Sequence, residues 1–224
     1  MVIKSWPEQE RPREKMLKQG ASALSDAELL ALILRTGTNG QDAVSFARDM
    51  LLHFGGLRDL LEADYKTLSA YHGIGLARFS LMQAVLELGR RCLQEDMQRS
   101  ELVDSTHTMK QYLIAKMRHL TQEVFACIYL DSAKKVIQYK ELFFGSLTSA
   151  AVYPREVVKL ALNIGAAYVV LVHNHPSGQA QASSADIAIT HTLQDVLQKV
   201  DVRVLDHMIV ADNKVFSFFE ADIL

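Results

Sequence analysis

A buried strand that runs directly into two histidines is the feature that most restricts how this chain can fold. Residues 167–172 read AYVVLV, an apolar and β-branched run, and His173 and His175 follow at once. Because side chains alternate along a strand, both imidazoles project from one face, with backbone positions roughly 6–7 Å apart. A Pro-Ser-Gly turn at residues 176–178 then ends the strand. The spacing predicts two nitrogen atoms that converge at one strand end.

A helix start follows this turn. Ser183 and Asp186 have the spacing of a capping box, in which two side chains accept hydrogen bonds from each other's backbone N–H groups. Asp186 then lies in the first turn of the helix, where its anionic carboxylate oxygen can lie close to the histidines as a third ligand. Two histidines and a carboxylate with an open fourth position form the ligand set of a catalytic zinc site. A strand that merely ends in His-Asn-His before a capped helix is the alternative, which the residues alone leave open.

Turn signals and hydrophobic periodicity divide the chain into a helical part and an α/β part. Residues 1–20, which contain two prolines, predict an extended arm with a short helix near its end. Residues 21–95 predict helices joined by glycine-containing turns, the first of them opened by a capping box at Ser25. Residues 102–224 predict strands and helices in mixed order. The expected fold class is therefore α/β, a mixed sheet flanked by helices and preceded by a small all-α domain.

Composition and charge narrow the class of protein further. The 224 residues are 49% hydrophobic and carry a net charge of −2, which indicates a globular chain without overall attraction to nucleic acid or anionic membranes. The two cysteines, Cys92 and Cys127, are too few for a disulfide framework or a cysteine-rich zinc site. The sequence shows no apolar leader and no apolar run approaching about 18 residues. We expect a cytoplasmic protein with no membrane partner.

The region around the histidines resembles a known family. His173-x-His175-x7-Ser183-x2-Asp186 matches the metal signature of JAMM/MPN+ metalloproteases at all four positions. The segments ELFFGSLTSAAVYPREV, AAYVVLVHNHPSG and LDHMIVADNKVFSF are similar to the bacterial RadC family of JAMM-domain proteins. This resemblance covers residues 102–224. It implies a JAMM/MPN-type, cytidine-deaminase-like fold in which His173, His175 and Asp186 hold one Zn²⁺ per chain.

The resemblance also implies a hydrolytic mechanism. In such domains an upstream strand glutamate is the general base, and the matching position is Glu141, in the predicted strand 135–144. Glu123, on the preceding strand, and Glu156, in the first turn of a helix, are rival candidates. Ser183 would donate a hydrogen bond to the oxyanion. The implied reaction is hydrolysis of an amide bond in a peptide or protein, either a peptide or an isopeptide bond.

A glycine turn in the helical part suggests a second kind of partner. The segment LSAYHGIGLARFSLMQAVLELGRR resembles a helix-hairpin-helix motif, in which a Gly-Ile-Gly turn presents backbone N–H groups to a DNA phosphate. Gly73, Ile74 and Gly75 match that turn, and Arg78 could reach the same phosphate. A plain helical hairpin with a glycine turn is the alternative. The balanced charge predicts that any DNA contact is weak and non-specific.

Two functions remain in competition at this point. The first is a zinc-dependent metallopeptidase of the JAMM type with a helix-hairpin-helix-like N-terminal domain. The second is a DNA-associated repair or recombination accessory protein whose metal site is not catalytic. A metal-dependent nuclease is disfavoured, because nucleases use carboxylate-rich Mg²⁺ sites whereas two imidazoles favour zinc. Asn174 and Ser177 lie in the site loop and could orient ligands, and Asp206–His207 could support the site or simply occupy a strand end. The residues specify neither substrate nor oligomeric state.

Overall fold

The structure is a computed structural model that describes residues 3–38, 40–99, 102–145 and 152–224. It divides into two compact units, Met1–Gly89 and Arg90–Leu224. The first unit is helical, and the boundary falls within its last helix. The helices of this part are α1 (Pro12–Gln19), α2 (Asp26–Leu34), α3 (Ala43–Phe54), α4 (Leu57–Glu62), α5 (Tyr65–Ser69) and α6 (Leu76–Arg99).

Side-chain caps mark the start of several of these helices. Ser25 and Glu28 form the predicted capping box at the start of α2. Asp42 caps α3, since its Oδ1 accepts hydrogen bonds from the N–H groups of Val44 and Ser45 at 3.0 and 2.9 Å. The apolar faces that these helices share pack into one buried core, whose largest side chains are Phe46, Leu30, Met50, Leu60, Leu68 and Met82.

The N-terminal residues differ from the predicted extended arm. They form two short 3₁₀ turns, Ile3–Ser5 and Glu8–Glu10, and then enter α1. Ile3 and Trp6 pack against the helical core, so apolar burial folds the segment onto its own unit. An ion pair between Lys15 and Glu28, with an N···O distance of 2.9 Å, adds a polar contact between α1 and α2.

The second unit contains a mixed sheet flanked by helices, which confirms the predicted fold class. In the described residues five strands run in the order β2-β1-β3-β4-β5; β3 and β4 are parallel and the other neighbours antiparallel. Helix α7 covers one face of the sheet, and α8 and α9 cover the other. The elements are α7 (Leu102–Met117), β1 (Val124–Leu130), β2 (Val136–Phe144), α8 (Pro154–Asn163), β3 (Tyr168–Asn174), α9 (Ser184–Gln198), β4 (Arg203–Ala211) and β5 (Lys214–Ser217).

The connection from β3 through α9 to β4 positions the candidate site. Because β3 and β4 are parallel, the chain must cross over between them, and α9 forms that crossover. The helix therefore begins near the carboxyl end of β3, where the two histidines stand. Among the helices of the described residues, none is long and apolar enough to cross a membrane.

Candidate metal centre

Three ligand-type side chains meet at the carboxyl end of β3. One ligand atom from each of His173, His175 and Asp186 lies within 4.8 Å of the others, and within the described residues no other group of three does so. His173 Nε2 is 2.9 Å from His175 Nε2 and 3.1 Å from Asp186 Oδ1. His175 Nε2 is 3.6 Å from Asp186 Oδ2. His173 and Asp186 are buried, whereas His175 is partly exposed, so the cluster opens to solvent on the His175 side.

The spacing and charge of this cluster fit a divalent metal ion. Ligand atoms bound about 2.0–2.1 Å from a tetrahedral zinc lie about 3.3 Å from one another. The two Nε2 atoms are 2.9 Å apart, and they lie 3.1 and 3.6 Å from the two different oxygens of Asp186. Burial would raise the pKa of Asp186, but its hydrogen bonds with His173 and His175 outweigh burial and hold the pKa well below its usual range. Burial lowers the pKa of His173. A charged carboxylate beside a neutral imidazole is the state that metal binding requires.

Asp186 is held in place by the capping box predicted from the sequence. Ser183 caps α9: its Oγ accepts a hydrogen bond from the Asp186 N–H at 3.2 Å and donates one to Asp186 Oδ2 at 2.7 Å. The Ser183 N–H also donates to Asp186 Oδ2, at 2.7 Å. The other carboxylate oxygen, Oδ1, faces His173. One carboxylate thus closes the first turn of the helix and faces the histidine pair.

Asn174, between the two histidines, binds the main chain beside Glu123. Its Oδ1 accepts a hydrogen bond from the Val124 N–H at 2.7 Å, and its Nδ2 donates to the Gln122 carbonyl at 3.0 Å. A longer contact of 3.4 Å reaches the Leu120 carbonyl. The side chain is buried, so these bonds satisfy backbone groups that water does not reach. The sequence pattern places Asn174 in the site loop as a residue that could orient ligands, but it does not predict these bonds to the main chain.

The structure contradicts the assignment of Glu141 as general base. Glu141 pairs with Ala126, whose side chain lies on the α7 face of the sheet, whereas Phe125, the partner of His173, lies on the opposite face. Glu141 contacts Tyr139, whose Oη donates to Glu141 Oε1 at 3.2 Å, and Lys116 at 3.8 Å. The cause is a register shift in the β1–β2 ladder between Phe125 and Ala126. A bulge at this point places Glu141, which precedes it in β2, on the other face of the sheet.

Glu123 lies beside the strand end that carries the histidines, whereas Glu141 does not. It immediately precedes β1, and its carbonyl accepts a hydrogen bond from the Gly145 N–H at 2.8 Å, which continues the pairing beyond the strand end. Phe125 pairs with His173 in an antiparallel register, and the same register continued by two residues would bring Glu123 opposite His175. Asp186 raises the pKa of His175, and the charge of the Glu123 carboxylate adds a smaller effect in the same direction; at His173 it only partly opposes burial, which keeps the pKa lowered. The rival candidate Glu156 pairs with its neighbour Arg155 in α8, at 3.3 Å.

The glycine turn of the helical unit is built largely by internal contacts. Ile74 is buried in the core of this unit. Gly73 has φ +91°, and an added Cβ would lie 3.1 Å from Phe46 Cζ, whereas a Cβ on Gly75 would meet no atom within 4 Å. The Arg78 guanidinium donates to the carbonyls of Gly73, Thr36 and Gly37 at 2.8, 2.7 and 3.0 Å. Arg78 therefore ties the turn to the chain after α2, a structural role that the sequence did not predict.

Comparison with known families shows to which family the chain belongs. A family model described as "RadC-like JAB domain" matches residues 103–223. The chain belongs to the RadC-like JAB domain family. A second model, described as "UPF0758 N-terminal", matches residues 3–80. The resemblance found in the sequence is thereby confirmed, and this RadC-like protein also carries the N-terminal region of the UPF0758 proteins.

Relatives of this RadC-like protein match it from end to end. It is 52% identical to the UPF0758 protein of Stutzerimonas stutzeri (strain A1501) over 220 residues, which is 98% of each chain. It is 51% identical to the UPF0758 protein of Thioalkalivibrio sulfidiphilus (strain HL-EbGR7) over 224 residues, all of both chains. The His-His-Asp cluster is typical of JAB domains and makes the chain compatible with a metal-dependent hydrolase of the JAMM type.

Proposed function

We propose that this RadC-like protein is a zinc-dependent hydrolase of amide bonds, with one ion held by His173, His175 and Asp186. The observation that carries the proposal is the convergence of two imidazole nitrogens and a buried carboxylate at an edge open to solvent. Three protein ligands leave a coordination position for water or substrate, as in catalytic zinc sites. A zinc ion bound there supplies Lewis acidity, which lowers the pKa of a water molecule and polarises a carbonyl group.

The chain's own residues would supply the remaining chemistry. Glu123 accepts the proton of the attacking water and returns it to the leaving amine, in the role that the family resemblance implied for Glu141. Asn174 holds the main chain on both sides of Glu123 and so fixes the base. Ser183 donates a hydrogen bond to the oxyanion of the substrate, for which its hydroxyl turns away from Asp186.

The substrate class we propose is a peptide or protein, cleaved at a peptide or isopeptide bond. The JAB/MPN domain family includes metalloisopeptidases, which supports this class for a member with the complete ligand set. The partly exposed position of His175 also supports it, because a polypeptide backbone can approach the cluster from that side.

Metal analysis combined with a hydrolysis assay tests this proposal. Purified full-length protein should contain about one zinc per chain, and the double variant His173→Ala/His175→Ala should contain far less. The wild type should cleave a mixed library of fluorogenic peptides and isopeptide-linked substrates, and the double variant should not. Equal zinc content in the two proteins would contradict the metal site; zinc binding with no cleavage of any amide would favour the non-catalytic accessory protein.

We also propose a weak, non-specific DNA contact at the turn Gly73–Gly75, which precedes α6. The open space at Gly75 supports this contact, because a phosphate can approach the backbone there. Binding of the full-length chain to duplex DNA should weaken with added salt and on substitution Gly75→Glu. Undiminished binding by this variant would contradict the contact.

For the cellular location we propose the cytoplasm. Both cysteines are free thiols, Cys92 exposed and Cys127 buried, and thiols persist in reducing compartments. Subcellular fractionation with an antibody against the native chain tests this assignment.

A further inference from the structure

A buried chain of hydrogen bonds leads from His173 back to the helix that carries Asp186. His173 Nδ1 is 2.8 Å from Nε2 of His207, on the neighbouring strand β4. His207 Nδ1 is 2.6 Å from Thr190 Oγ1, on α9. The Thr190 hydroxyl in turn lies 2.5 Å from the backbone carbonyl of Asp186. His173, His207 and Thr190 are all buried, so no water competes for these bonds.

The Asp186 carbonyl, the last acceptor in this series of hydrogen bonds, fixes the direction of every bond in it. A carbonyl oxygen only accepts, so the Thr190 hydroxyl donates its one proton to the Asp186 carbonyl. Thr190 Oγ1 must then accept from His207, which places the His207 proton on Nδ1. A neutral imidazole carries a single N–H, so His207 Nε2 accepts, and the proton of His173 lies on Nδ1. His173 Nε2 therefore carries a lone pair.

The second histidine reaches the same state by a separate bond. His175 Nδ1 is 2.9 Å from the backbone carbonyl of Gln179, which accepts its proton. The Nε2 atoms of His173 and His175 then present lone pairs to each other at 2.9 Å, beside the oxygens of Asp186. With both imidazoles neutral these three acceptors repel one another, and a positive charge between them, either a metal ion or a proton on His175 Nε2, relieves the repulsion. In the neutral state the bonds outside the cluster thus leave its centre without a proton, which suits a metal ion.

We propose that His207 and Thr190 are positioning residues that hold the proton of His173 on Nδ1 and so present its Nε2 to the metal. This inference rests on the proposed zinc site and assigns a role to two residues outside the ligand set. The rings of Phe218 and Phe125, at 4.7 and 5.8 Å from the His207 ring, fix its orientation. Because the bonds join β3, β4 and α9, they also set the distance between His173 and Asp186.

A matched pair of substitutions at Thr190 tests the role of its hydroxyl. Thr190→Val keeps the shape but removes the acceptor for the His207 proton, which frees His207 and His173 to exchange to the opposite tautomers. Zinc affinity of the full-length protein, measured by competition with a chromophoric chelator, should fall about 10–100-fold, as for other residues that orient metal ligands. Thr190→Ser keeps the hydroxyl and should bind zinc like the wild type. Urea unfolding of each metal-free variant checks that it folds.

A second measurement needs no variant. Long-range ¹H–¹⁵N correlation spectra of the imidazoles, in the zinc-loaded wild type, should show the His173 proton on Nδ1 and the metal on Nε2. A His173 proton on Nε2, or equal zinc affinity of Thr190→Val and Thr190→Ser, would overturn the inference. Neither result depends on hydrolysis: a protein that binds zinc with these tautomers but cleaves no amide contradicts the proposed function alone.

Discussion

Asn174 accepts a hydrogen bond from the Val124 N–H at 2.7 Å, across the gap between β3 and the start of β1. The same side chain donates to the Gln122 carbonyl, so it binds the main chain on either side of Glu123. Asn174 also stands between His173 and His175. The end of one strand thus presents two imidazoles to the candidate metal site and fixes the backbone of the candidate base.

Removal of the Asn174 amide should therefore damage both stability and catalysis. In Asn174→Ala the Val124 N–H loses its partner in a buried setting, and we expect the free energy of unfolding to fall by about 1–3 kcal/mol. Hydrolysis should fall by a larger factor than zinc affinity, because the ligands remain. Urea denaturation, zinc titration and the amide assay measure the three quantities. Asn213→Ala, at an exposed side chain that accepts from Arg118, is the control and should change stability by less than about 0.5 kcal/mol.

Two charge-neutralising substitutions separate the candidate bases. Glu123→Gln should lower kcat by about 10²–10⁴-fold, the usual range for loss of a general base, while zinc content is retained. Glu141→Gln should leave kcat unchanged, since Glu141 lies on the face opposite His173 and contacts Tyr139 and Lys116. The amide assay on both proteins decides between them. Loss of activity in Glu141→Gln alone would restore the assignment made from the sequence.

The two glycines of the N-terminal turn should respond differently to alanine. Gly73 has φ +91° and Phe46 Cζ lies 3.1 Å from the position of an added Cβ, so Gly73→Ala should destabilise by at least about 1 kcal/mol. At Gly75 an added Cβ meets no atom within 4 Å and φ is not positive, so Gly75→Ala should be neutral or slightly stabilising. Thermal unfolding of both variants tests the difference, and equal stability would contradict the described turn.

Because of Asp42, the free energy of unfolding of the helical unit should change with pH in the acid range. Burial would raise its pKa, but bonds from Ser45 and Val44 outweigh burial and lower the pKa below its ordinary value of 3.8. The folded state therefore binds the Asp42 proton less readily than the unfolded state. The stabilisation is complete above about pH 4 and is lost as pH falls through the lowered pKa.

Two substitutions test this dependence. Asp42→Ala should cost about 0.5–2 kcal/mol at pH 7, and the difference from wild type should shrink below pH 4. Asp42→Asn keeps an acceptor for the Val44 and Ser45 N–H groups and should stay close to wild type at pH 7. Urea denaturation from pH 2.5 to pH 7 measures both; a pH-independent cost of the alanine variant would contradict the titration of Asp42.

Local chemistry made part of this structure predictable. The caps at Ser25 and Ser183 follow from residue types three positions apart, and both are present. The strand before His173 follows from an unbroken apolar run, which a strand buried on both faces requires. These features depend on neighbours within one turn or one strand, and a single sequence contains that information.

Long-range pairing explains what could not be predicted. Glu141 was expected to face the histidines, but a one-residue register shift opposite Phe125 reverses its side. Such a bulge depends on how two strands pair, and alternation along one strand cannot indicate it. The contact between His173 and His207 joins residues 34 positions apart, so its partner became visible only once β3 and β4 were side by side.

The capping box at Ser183 and Asp186 has a consequence for how related sequences are interpreted. The fold needs this pair to start α9, whether or not an ion is ever bound. A descendant that lost its catalytic activity would still be under selection to retain both residues, because their loss would unravel a helix end. His173 is also buried among structural contacts, whereas His175 is partly exposed, so the fold depends less on His175. In judging which relatives remain active, His175 is therefore more informative than Ser183 or Asp186.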